Sequence, residues 1–184
     1  HFGLTEYILM HALIYRTAVV RESKMQLPEH TFYVDFIYAY QPFPWVKSML
    51  YMDIPFYHYF IGREGQSVQT DVMIRRVAQL RLVNQRMVEA TPEPGTVPDG
   101  LYRYMIHFLA IESSVTSVFL ILSKDKANYR LKDELWADID KASPAIGRDV
   151  RRKLVSRALN LRGSVGRWVI RRGYVVAEKV VGFN

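Results

Sequence analysis

From Asp71 to Glu89 the apolar residues Met73, Val77, Leu80, Val83 and Met87 recur three or four apart, with Arg75, Arg76, Gln79, Arg81 and Arg86 between them. That period predicts an amphipathic helix with one buried stripe. Leu101 to Ser123 is the most apolar stretch, and its length invites a transmembrane reading. Glu112 near its centre, with His107, Ser113, Ser114, Thr116 and Ser117, argues against this, since a charged side chain at mid-bilayer costs about 3 kcal/mol. A buried core helix is expected instead. Lys124 to Lys141 reads as a mixed-charge helix with Leu131, Leu135, Trp136 and Ile139 on one side. Ser143-Pro144 then supplies an N-cap and a first-turn proline for a helix with Ile146, Val150, Leu154, Ala158 and Leu161 inward, stopping near Gly163. Ser164 to Asn184 repeats the theme, with Val165, Val169, Val176 and Val180 on one side and Arg167, Arg171 and Arg172 on others. Gly173 weakens it as a helix and leaves a strand at Tyr174 to Val176 open.

The first third of the chain has a different texture. Thr5 to Met10 can cap and begin a short helix, and His11 to Val20 has the alternating, β-branched look of a strand. Tyr51 to Phe60 reads as another strand, with Pro55 marking an edge or bulge, and runs into a polar turn, Gly62 to Ser67. Thr91 to Gly100, rich in proline and glycine, is a stiff loop and the best internal boundary. The expected architecture is therefore α+β, with a few strands in residues 1–69 and a helical extension over 70–184.

Composition narrows the class without naming a function. A chain of 184 residues, 49% hydrophobic and 23% charged, is long enough to bury a core. With no cysteine it has neither a disulfide framework nor a thiolate metal site, which fits a reducing compartment, so a cytoplasmic location is expected, with peripheral membrane contact open. The start, His1-Phe2-Gly3, shows no charged-then-apolar leader and reads as a fragment boundary. The net charge of +7 is uneven: residues 144–184 carry ten Lys or Arg against Asp149 and Glu178, a net +8, which leaves −1 for the rest. Such a tail can face anionic lipid, nucleic acid or phosphates, or be a solvated helix face.

Candidate chemistry concentrates between Leu27 and Val68, where dense aromatics surround single acids and bases. Asp35 is a lone carboxylate amid Phe32, Tyr33 and Phe36, where partial burial would raise its pKa; the plainer alternative is a cap on a short helix, Phe36 to Tyr40. His11, Tyr15 and Arg16 are the polar handles of their segment, and an isolated histidine is more often structural than catalytic. Asp138-Ile139-Asp140 has the form of a metal-binding DxD, but residues two apart on a helix point roughly 200° from each other, so the two carboxylates cannot share an ion.

The segments HALIYRT (His11 to Thr17), LPEHTFYVD (Leu27 to Asp35) and YMDIPFYHYFIGREGQSV (Tyr51 to Val68), followed by a Met- and Arg-rich helix, resemble the C-terminal half of family 2 glycosyltransferases. These GT-A fold enzymes move a sugar from a nucleotide-sugar to an acceptor hydroxyl. The resemblance implies Asp35 as the catalytic base, although the family's acidic pair reads Val34-Asp35 here. It implies His11, Tyr15 and Arg16 near the acceptor, and Arg63, Gln66 and Ser67 on the nucleotide-sugar pyrophosphate. His58 is a weak candidate for a metal-touching histidine. A divalent Mg or Mn ion is implied for the complete enzyme and none for this piece, which lacks the family's nucleotide-binding half and is expected to be inactive alone. The implied partners are a nucleotide-sugar donor and a glycan or lipid-linked acceptor. The competing reading is a non-catalytic helical module that docks on anionic membrane or nucleic acid through the basic tail. Nucleic acid is the less favoured partner, because only Trp168, Tyr174 and Phe183 offer stacking platforms there.

Overall fold

The computed structural model describes residues 6–58, 60, 66–161 and 163–181, with side chains as far as residue 177. Among these residues every regular element is helical. A 3-10 turn at Met10–Ala12 precedes α1 (Thr17–Glu22) and α2 (Val34–Tyr38), and a second such turn follows at Phe43–Trp45. Then come α3 (Thr70–Arg75), α4 (Val77–Glu89), α5 (Asp99–Leu122), α6 (Lys126–Ala142), α7 (Pro144–Arg152), α8 (Leu154–Leu159) and α9 (Gly163–Val181).

α5 is the axis on which the others pack: α3, α4, α6, α7, α8 and α9 all lie against it. Its Met105, Phe108, Leu109 and Leu120 are fully buried and share one core with Ile37 and Tyr40 near α2, Leu80 and Val83 of α4, Leu135 and Ile139 of α6, and Val150 of α7. By length and composition α5 could cross a membrane, but 83% of its apolar window is covered by the protein's own helices. The stripe Met73, Val77, Leu80, Val83 and Met87 is buried as its spacing predicts, although the backbone breaks at Arg76 (φ −107°, ψ 19°) into α3 and α4. Side-chain caps set the next two helix starts. Asp125 accepts the Ala127 N–H at 2.8 Å to open α6, and Ser143 accepts the Ile146 N–H at 3.4 Å to open α7, with Pro144 at the first turn.

The expected α+β architecture is overturned, because no strand forms among the described residues. His11 to Val20 folds as the end of a 3-10 turn and then α1, and Tyr51 to His58 runs outside any regular element. β-branched and aromatic residues report a fit to a half-buried pleated surface rather than a backbone preference, and no pairing strand is there to supply that surface. Tyr174 to Val176, where a strand was open, lies within α9.

Two helical expectations also change. The helix expected from Pro144 to Gly163 turns at Lys153 (φ −64°, ψ 139°), and the turn re-phases the residues beyond it: Ile146 and Val150 are buried, whereas Leu154, Ala158 and Leu161 are not. On α9 the expected apolar stripe of Val165, Val169 and Val176 faces away from the bundle, and Gly166, Ile170 and Tyr174 face it. A methyl at Gly166 would lie 2.7 Å from the Leu161 backbone, so this contact requires glycine.

Candidate functional site

Of the residues singled out in the sequence, Asp35 and His11 lie on elements that pack together, α2 and the 3-10 turn at Met10–Ala12. Asp35 sits in the first turn of α2, half-buried, and burial pushes its carboxyl above the ordinary range. Backbone N–H groups of Asp35 and Phe36 and the nearby His11 imidazole pull the other way. The His11 ring stacks on Tyr57 with centroids 5.2 Å apart, a partner the sequence did not point to. α2 is entered through Tyr33 in the left-handed region (φ 68°), where a bulky side chain is strained. Its hydroxyl donates to the Ser67 carbonyl at 2.9 Å, tying α2 to the segment before α3.

The remaining candidates disperse. Tyr15 turns its ring edge to Tyr38 (5.3 Å) and Phe43 (6.4 Å), and its buried hydroxyl has no hydrogen-bond partner among the described residues. Arg16 and His58 are exposed. Gln66 donates to the Phe60 carbonyl at 2.8 Å. Arg63 lies outside the described residues. No three His, Asp or Glu side chains among the described residues form a group able to hold a metal. Asp138 pairs with Arg81 on α4 while Asp140 takes a two-pronged bond from Arg151 (3.1 and 2.6 Å), so the DxD carboxylates do serve different partners.

The second candidate region is the basic C-terminal end. α9 is held to the bundle by its arginines as well as by Ile170. Arg171 donates to the Ile121 carbonyl (3.3 Å) and to the Tyr129 hydroxyl, and the Arg167 guanidinium lies 4.8 Å from the Tyr129 ring centre. These two charges are engaged in docking the helix. The opposite side of α9 is apolar and open: Val165 is 73% exposed, Trp168 59% and Val176 62%, with Val169 and Val175 beside them. Arg172 stands among them, its guanidinium 5.9 Å from the Trp168 ring centre. Spaced at 165, 168, 169, 172 and 176, these positions form one continuous helical face. The periodicity is visible in the sequence, but α9 carries apolar residues on both sides, so period alone does not say which side meets the core.

No family, curated protein or solved structure matches this chain. Together with the absence of strands among the described residues, this overturns the resemblance to family 2 glycosyltransferases, whose GT-A domain is built on a sheet.

Proposed function

We propose that this chain is a helical docking module that lies on anionic membrane surfaces through the outward face of α9. The observation that carries this reading is the exposed Val165, Trp168, Val169 and Val176 face in a segment of net +8. A helix of this kind rests in the interfacial plane, apolar side toward the acyl chains, with tryptophan at headgroup depth. Basic residues near an anionic leaflet add about 1 kcal/mol each. Exposed Arg148, Arg152, Arg157 and Arg172 supply such charge. A nucleic-acid backbone is the poorer match, because the open face of α9 is apolar rather than lined with cations. The expectation of sugar transfer came from the resemblance alone, and no observation in the described residues supports it.

Co-sedimentation with vesicles tests the reading. Binding is expected to vesicles containing phosphatidylserine and not to pure phosphatidylcholine, and to weaken as the screening length falls from about 10 Å at 0.1 M salt to about 3 Å at 1 M. Equal binding to both vesicle types, or preference for a DNA or RNA duplex over vesicles, would overturn it.

A further inference from the structure

The turn at Lys153 does more than divide α7 from α8. It sets Lys153, half-buried, into a cleft of about 320 Å³ against the first turns of α5, lined by Tyr102, Arg103, Ile106, Asp149, Arg152 and Lys153. Three of the six are cations and one is an anion. Asp149 is already engaged: it accepts the Tyr102 hydroxyl at 3.0 Å and lies 3.8 Å from Arg152 and 3.9 Å from Arg148. Arg103 and Lys153 have no carboxylate partner within ion-pair distance among the described residues.

We propose that this cleft binds a phosphate group, with Arg103 and Lys153 as its principal ligands and Arg152 at its rim. The chemistry follows from the side chains. A phosphate dianion needs several donors around its oxygens; a guanidinium offers a planar fork of N–H groups, and an ammonium offers a point charge with three donors. Ile106 gives the cleft an apolar floor, where such bonds are less screened than in water. Of the four charged side chains that line the cleft three are cations, and the single anion, Asp149, is shared with Tyr102, Arg148 and Arg152. Burial depresses the Lys153 ammonium below its ordinary value; Asp149 opposes this, and Arg103 adds a smaller push in the same direction as burial. A bound phosphate supplies the surplus cations with the negative charge that Asp149 alone does not. The group can come from a soluble phosphate ester or from a phospholipid monoester headgroup. The site does not depend on the membrane reading of α9, because its first test contains no lipid.

Inorganic phosphate is titrated into the full chain at constant ionic strength, with chloride as the balancing anion, and thermal unfolding is followed. A saturable rise in Tm is expected, as for any ligand that binds only the folded state. The rise is expected to be lost in Lys153→Met and in Arg103→Gln, each confirmed as folded by far-ultraviolet circular dichroism; the two variants guard against misfolding of one. An increment as large in both variants as in the parent, or a non-saturating rise, would overturn the proposal. Vesicles containing phosphatidic acid separate the sources. If Lys153→Met weakens binding to them at least threefold and leaves phosphatidylserine vesicles unaffected, the lipid monoester is the ligand; an unchanged phosphatidic acid affinity with a phosphate-dependent Tm assigns a soluble ester.

Discussion

Asn84 donates its side-chain amide to the Glu112 carboxylate inside the helical bundle, both residues being fully enclosed between α4 and α5. Thr116 donates to the other carboxylate oxygen at 2.6 Å, and the Asn84 amide also donates to Ser113 Oγ at 2.8 Å. Burial nevertheless dominates and raises the Glu112 pKa from 4.5 to about 7, the two hydrogen bonds and Arg81 opposing it.

A raised carboxyl pKa means that the folded protein holds a proton the unfolded chain has released. Stability from Glu112 is therefore fully present below pH 4.5 and is lost as pH rises toward about 7. The difference amounts to roughly 3 kcal/mol at about 1.4 kcal/mol per pKa unit. Glu112→Gln keeps the shape and cannot ionise. Urea unfolding at pH 5 and pH 8 is expected to show the parent losing more stability than the variant over that interval; equal losses would contradict the account.

Tyr40 links the first third of the chain to the helices. Its buried hydroxyl meets Thr91 Oγ1 at 2.8 Å and donates to the Met105 carbonyl at 3.2 Å. Thr91 keeps a second bond, to the Met87 carbonyl, so removing the tyrosine hydroxyl leaves no isolated donor there. Tyr40→Phe is expected to cost about 1 kcal/mol, the net worth of an ordinary buried hydrogen bond. A shift in urea midpoint with unchanged slope checks it.

Gly147 shows where packing outweighs propensity. It lies within α7, where alanine is ordinarily better by about 1 kcal/mol. Its added methyl, however, would fall 2.3 Å from Asp140 Oδ1 and 3.0 Å from the Asp140 Cα, at the crossing of α6 and α7. Moving Asp140 disturbs its pairing with Arg151. Gly147→Ala is expected to be destabilising by about 1–3 kcal/mol, measured by thermal or urea unfolding. A more stable variant would refute the close approach.

How much of the fold is legible in the sequence depends on whether a segment's own pattern decides its fate. The stripe from Met73 to Met87 and the Ser143-Pro144 start need only helical period and cap chemistry, and both are found. Glu112 points to a helix packed inside the protein, and it is fully enclosed in the bundle. The aromatic stretches from His11 to Val20 and Tyr51 to His58 mislead because strand character depends on a neighbouring strand, which composition does not reveal. The Lys153 turn carries no glycine or proline signal, so neither the re-phasing after Val150 nor the cleft it makes is visible in the sequence. The packing of the His11 turn against α2 is not legible, because neither segment's own pattern names the other.

Which way α9 faces a membrane is measurable with a single label, because the sequence has no cysteine. A nitroxide at Val165→Cys on α9, compared with one at exposed Gln85→Cys on α4, reports depth through its relative accessibility to oxygen and to a water-soluble nickel chelate. On vesicles containing phosphatidylserine, the Val165 label is expected to gain oxygen accessibility and lose chelate accessibility while the Gln85 label stays aqueous. Two equally aqueous labels on vesicle-bound protein would contradict docking through α9.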